Sequence, residues 1–195
     1  MKNIKIETTL EVYDSVSELP VAIQKVINKA HEARKKAYAP YSHFNVGAAI
    51  LLDNGEIIEG NNQENAAFPS GLCAERVAAF YAGSKFPKMA FKALAITAGS
   101  TKNVNETPIP PCGACRQSLA EYEVNQKSPI EVYFMGEQGK VVKATSVKSL
   151  LPLIFDRSNF YSIDIYKSQI VSAIFIIVPL LMVSKIPTYA LKKIV

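Results

Sequence analysis

Tryptophan is absent from this chain of 195 residues, and cysteine and histidine are scarce, at three and two. Without Trp, and without a basic stripe interleaved with aromatics, the chain lacks the stacking platforms of single-strand nucleic-acid binders. The formal charge of +5 does not reverse that, because residues 156–195 hold five Lys/Arg against two Asp/Glu and leave only +2 for the first 155. An odd number of cysteines, each within a short motif, argues against a disulfide framework and for a reducing compartment, hence the cytoplasm. The first seven residues, Met1-Lys2-Asn3-Ile4-Lys5-Ile6-Glu7, lack the apolar run and small-residue cleavage site of a secretory signal.

What is present concentrates in two stretches. Leu72-Cys73-Ala74-Glu75-Arg76 and Pro110-Pro111-Cys112-Gly113-Ala114-Cys115-Arg116-Gln117 contain all three cysteines. Cys112 and Cys115 are three apart, so at a helix start they share one face and can bind one metal ion together with Cys73. Three thiolates are one ligand short of a closed structural zinc site, and the open position marks a catalytic rather than a structural metal. Small buried cysteines are also ordinary core residues, but Cys-x-Glu paired with Pro-Cys-x-x-Cys is hard to explain that way. Glu75, two residues past Cys73, sits where a non-ligand carboxylate moves protons; the plainer reading is a first-turn Glu favoured by the helix dipole. Helix starts at both motifs stabilise thiolates, and Arg76 and Arg116 are expected to add positive charge there.

The elements follow from periodicity and punctuation. Residues 1–14 form an N-terminal extension, either an edge strand or loose chain. A helix is expected from Ser15 or Ser17, with Ile23, Val26, Ile27, Ala30 and Ala37 on one stripe, ended by Pro40. Strands are expected over 45–52, 56–60, 91–98, 130–134 and 141–144, the first two joined by an Asp53-Asn54-Gly55 turn. Helices are expected over 74–82, capped by Gly83, over 112–122, and over 146–151. Strands alternating with helices in this way make a three-layer α/β/α sandwich around a mixed five-stranded sheet. Residues 15–157 form the catalytic domain.

Residues 158–195 form an apolar C-terminal extension. Its run 170–183 is 14 residues long with Lys167 and Lys185 on its flanks, short of the roughly 20 apolar residues a membrane span needs. Docking as an added apolar helix or subunit contact is favoured over membrane contact.

The two cysteine motifs together resemble the small, homotetrameric, three-cysteine type of cytidine deaminase, and the resemblance runs over roughly residues 19–155. It implies one zinc ion per chain on Cys73, Cys112 and Cys115, and a zinc-bound hydroxide attacking C4 with Glu75 as proton shuttle. Backbone donors near Ala74 would hold the tetrahedral intermediate. It also implies hydrolytic deamination of cytidine and deoxycytidine in pyrimidine salvage. Gly60-Asn61-Asn62-Gln63-Glu64-Asn65-Ala66-Ala67 resembles the family's nucleoside loop, which assigns Asn62 and Glu64 to ribose hydroxyls; alone it reads equally as a polar turn. Phe44, in Tyr41-Ser42-His43-Phe44-Asn45-Val46-Gly47, resembles the aromatic that packs on the base. Phe155 resembles the aromatic that reaches a neighbouring subunit's site, although the Gly-Pro that follows it in the family is missing, which puts the tetramer contacts there in question. His31 and His43 lie in no ligand-like motif. A deaminase of another amino-pyrimidine nucleoside, of the blasticidin type, is the alternative enzyme, and a catalytically silent zinc-stabilised interaction module is the alternative outside enzymes.

Overall fold

The computed structural model describes residues 1–157 of the chain. The chain divides into two compact units, Met1–Ile154 and Phe155–Val195, and most of the second, with the expected apolar extension, lies outside the described residues. In the first unit the elements run β1 (Glu11–Tyr13), α1 (Val21–Arg34), β2 (Phe44–Leu52), β3 (Ile57–Asn61), α2 (Ala74–Lys85), β4 (Phe91–Ser100), α3 (Gly113–Gln126), β5 (Glu131–Met135), β6 (Val141–Ala144) and α4 (Val147–Leu150).

Pro20 sets where α1 begins. Leu19, the residue before it, is pushed into extended backbone at φ −83° and ψ 156°, because a proline ring crowds a helical residue in front of it. The serine-capped helix expected from residue 15 or 17 is therefore only a 3-10 turn over Val16–Glu18, and α1 starts at Val21. Its buried residues Ile23, Val26, Ile27, Ala30 and Ala33 fall on one stripe. The helix ends at Arg34, well before Pro40, and the tighter bonds Lys36 N to Ala33 O and Ala37 N to Arg34 O close its last turn.

The sheet has the order β1-β6-β5-β4-β2-β3. All pairs are antiparallel except β4 with β5, which the α3 crossover makes parallel. Six strands replace the expected five. The sixth comes from the N-terminal extension, where Glu11, Val12 and Tyr13 pair with Lys143, Val142 and Val141. Tyr13 packs on the α1 side of the sheet and Glu11 forms an ion pair with Lys143 at 3.5 Å, cross-strand contacts that give this short strand a reason to pair.

Two apolar layers hold the sandwich. On one face Ile23, Val26 and Ile27 of α1 meet Ala49, Ala93, Ala95 and Tyr133. On the other, Ala78 and Ala82 of α2 and Leu119 of α3 meet Ile50, Leu94, Ile96 and Phe134. Gly60 lets α2 lie close on the sheet: a Cβ there would fall 2.5 Å from Ala78 N and 2.6 Å from Ala74 O. Gly83, expected to cap α2, lies inside it, and a Cβ at that position would meet Tyr122 Oη at 2.8 Å. Tyr122 in turn stacks on Phe91 with ring centroids 4.6 Å apart. Among the described residues no helix is long and apolar enough to cross a membrane.

Candidate active site

The two cysteine motifs become two helix starts. Cys73 caps α2 and Cys112 caps α3, both in extended backbone, and Cys115 lies in the first turn of α3. Sγ of Cys112 is 3.8 Å from that of Cys73 and 3.4 Å from that of Cys115, and all three sulfurs lie within 4.8 Å of one another. With Zn–S bonds of about 2.3 Å, the edge of a tetrahedral site is about 3.8 Å, so the three sulfurs fit zinc nearly as they stand. Two helix N-termini aim their partner-free N–H groups and dipole ends at this cluster, which offsets the charge of three thiolates. Among the described residues neither histidine joins the cluster.

The electrostatics follow the geometry. Arg76 donates from Nη2 to Cys73 Sγ at 3.7 Å. The Cys73 thiol is pulled down to about 5, chiefly by the hydrogen bond from the Cys115 thiol, with Arg76 adding to the effect. Cys115 is pushed up, chiefly because it keeps that shared proton, and burial adds to this. Arg116, expected to add positive charge here, donates from Nε to Pro111 O at 2.7 Å and from Nη1 to Leu150 O at 3.2 Å. The guanidinium pins the approach to α3 onto the end of α4.

Glu75, in the first turn of α2, is 4% exposed. Burial pushes its carboxyl above the usual range, and the negative charge at Cys73 acts in the same direction. Ala74, fully buried, is the first residue of α2 and presents an N–H of the kind that has no partner within the helix.

A cleft of about 520 Å³ opens beside Cys73, a size suited to a small organic ligand. Tyr41, Ser42, Asn62, Glu64 and Phe68 line it with Cys73 and Arg76. Backbone pairing brings these distant residues together. Tyr38 N donates to Asn62 O at 3.0 Å and Glu64 N to Tyr38 O at 2.9 Å, while Gln63 and Leu72 exchange both of their backbone bonds at 2.9 Å. Asn62 is buried; its Oδ1 accepts from Val46 N at 2.8 Å and its Nδ2 donates to Phe44 O at 2.9 Å. One amide hydrogen of Asn62 is left over. Glu64 faces the same cleft, its carboxylate held below the usual range chiefly by the Ser42 hydroxyl.

Phe44 is half-buried at the start of β2 and is not among the residues lining this cleft. Phe155 is the first residue of the second unit. Tyr41, Ser42 and Phe68 went unnoticed as cleft residues in the sequence. Their signal was weak: exposed side chains in a turn, Tyr41 and Phe68 meeting edge to face at 6.0 Å only once the chain folds.

Residues 21–128 match the family model described as the cytidine and deoxycytidylate deaminase zinc-binding region. The chain belongs to this deaminase family. A cytidine deaminase of Sporosarcina psychrophila is 42% identical over 137 residues, covering 70% of this chain and 93% of the relative. A probable cytidine deaminase of Dictyostelium discoideum is 34% identical and covers 70% and 86%. Among solved structures, the cytidine deaminase of Burkholderia pseudomallei superposes with a TM-score of 0.59 at 41% identity, covering 67% of this chain and 97% of that one. The family's zinc-binding region thus coincides with the three-cysteine cluster that the geometry singles out.

Proposed function

We propose that the protein deaminates cytidine and deoxycytidine hydrolytically to uridine and deoxyuridine, releasing ammonia, as a step of pyrimidine salvage. The observation that carries this reading is a buried carboxylate, Glu75, in the same helix turn as Cys73, the member of a zinc-fitting cysteine triplet that lines a nucleoside-sized cleft. Cys73, Cys112 and Cys115 would hold zinc, which would supply Lewis acidity toward the attacking water. Glu75 accepts the proton that this water loses and delivers it to pyrimidine N3, so that C4 becomes electrophilic as the C–O bond forms. Glu75 then takes the proton of the new C4 hydroxyl and carries it to the exocyclic amine, and the C4–N bond breaks with ammonia as leaving group while the C4=O bond forms. The Ala74 N–H donates toward the oxygen on C4. Asn62 and Glu64 hold the sugar, Phe44 packs near the base, and Arg76 offsets thiolate charge.

Assembly as a homotetramer belongs to the same reading, with Phe155 reaching a neighbouring subunit. Exposed Phe68, Phe80 and Tyr81 supply apolar surface of the kind subunits bury. The three cysteines stand as free thiols, which suits the reducing cytoplasm.

The test follows the fall in ultraviolet absorbance as the amino-pyrimidine is converted, with cytidine and deoxycytidine supplied separately. Turnover of both, with KM for each raised at least about tenfold by Glu64→Ala, is the expected result. Turnover of neither by zinc-loaded protein would overturn the reading.

A further inference from the structure

Ser42 lies in the turn between α1 and β2, outside both cysteine motifs. We propose that Ser42 is a positioning residue that fixes the Glu64 carboxylate so that one of its oxygens presents a single open acceptor site to a sugar hydroxyl. The inference rests on the nucleoside reading above and adds a part to that site.

A carboxylate has about four lone-pair sites, and this turn occupies three of them. Oε2 of Glu64 accepts from Tyr41 N at 2.9 Å and from Ser42 N at 3.2 Å, and Oε1 accepts from the Ser42 hydroxyl. The remaining site is on Oε1, the oxygen whose direction the Ser42 hydroxyl sets. The hydroxyl is itself oriented, since Ser42 Oγ accepts from Phe44 N at 3.1 Å and its hydrogen is left for Glu64. His43 makes this close loop feasible: at φ +56° it stands in the left-handed region, folding Phe44 N back over Ser42. That region costs a non-glycine residue some stability. The payment is offset by the bonds the turn makes to the Glu64 carboxylate.

Without the hydroxyl, the terminal torsion of Glu64 has only the two backbone donors on Oε2 to hold it, and such torsions are broad and roughly two-fold. A long side chain that must be ordered at the moment of binding lowers affinity, whereas one already ordered does not. Ser42 therefore acts on ligands that carry a hydroxyl at C2′ or C3′ of the sugar and is indifferent to those that lack both.

The experiment uses the zinc-loaded full chain carrying Glu75→Gln, so that bound nucleoside is not consumed. Equilibrium binding of cytidine and of 2′,3′-dideoxycytidine is measured with Ser42 intact, with Ser42→Ala and with Ser42→Thr. The expected result is that Ser42→Ala weakens cytidine about tenfold and dideoxycytidine less than about twofold, and that Ser42→Thr, which keeps a hydroxyl, recovers most of the cytidine affinity. Unchanged cytidine affinity in Ser42→Ala would overturn the proposal. Equal weakening of both ligands would also overturn it, because it would show that Ser42 only shapes the turn. Failure of the deaminase reading looks different: a Glu75-intact chain that releases no ammonia from cytidine, whatever the binding ratios. Absence of cytidine binding to the Ser42-intact chain would overturn both.

Discussion

At the residue scale the site divides into the cysteines that fit a metal and, on the proposed reading, a group that moves a proton and groups that hold a sugar. Cys115 is the thiol with least freedom, buried in the first turn of α3 and 3.4 Å from Cys112. Cys115→Ser replaces a soft ligand with a hard, poorly ionised one, so zinc content measured after dialysis falls well below one per chain, by about tenfold or more in affinity. The three-cysteine cluster, and the place of Glu75 in the first turn of α2, were legible in the sequence because the motifs read as helix starts. The bonds of Arg116 were not, because its place beside Cys115 gives no sign of the Pro111 and Leu150 carbonyls to which it donates. Asn62 was half legible: its place in the loop is visible in the sequence, whereas its two bonds to the backbone of β2 depend on pairing that only the fold creates.

The elements are tied together at a few close points. Gly60→Ala puts a methyl group against Ala74 O and Ala78 N, which belong to the same helix that starts at Cys73. Backbone cannot yield as a side chain does, so the expected loss is about 1–3 kcal/mol or more, read as a lowered melting temperature, with zinc affinity reduced as α2 lifts. A second tie joins the end of α1 to the segment after β5, through Arg34 Nη2 and Glu137 Oε1 at 2.8 Å. Arg34 holds the Glu137 carboxyl below its ordinary value of 4.5. A carboxylate with a depressed folded-state pKa stabilises the protein above its unfolded pKa, and that contribution is lost as the pH falls through the depressed value. Glu137→Gln is therefore less stable than the parent at pH 7, by about 1 kcal/mol given the partial exposure of Glu137, and the two stabilities converge as the pH falls below the ordinary value of 4.5. A difference that stayed constant through that range would contradict the assignment. At this scale Val141–Ala144 was legible to the residue, since a turn with Gly139 and the cap Ser146 bracket it. The start of α1 was misread because Ser15 and Ser17 resemble caps, while Pro20, which decides the matter, was passed over.

For the whole molecule, the layered α/β/α arrangement was legible from the alternation of apolar strands with helices, and the sixth strand only as one of two readings of the first 14 residues. Glu11-Val12-Tyr13 carries little local signal, and its pairing depends on Lys143 and Val141, some 130 residues away in the chain. The cleft shares that origin. Tyr41, Ser42, Asn62, Glu64, Phe68 and Cys73 meet because the pairing of Tyr38, Gln63 and Leu72 gathers three segments, and no local pattern announces that. The fold thus brings the buried Glu75, a zinc-fitting cluster and a cleft of about 520 Å³ together.

The most direct measurement compares the intact chain with Glu75→Gln on the same day, recording zinc per chain and the fall in cytidine absorbance. The account predicts about one zinc per chain in both proteins and turnover lowered at least about hundredfold in Glu75→Gln. Equal turnover in the two, at equal zinc content, would contradict the central claim that Glu75 carries the protons of this reaction.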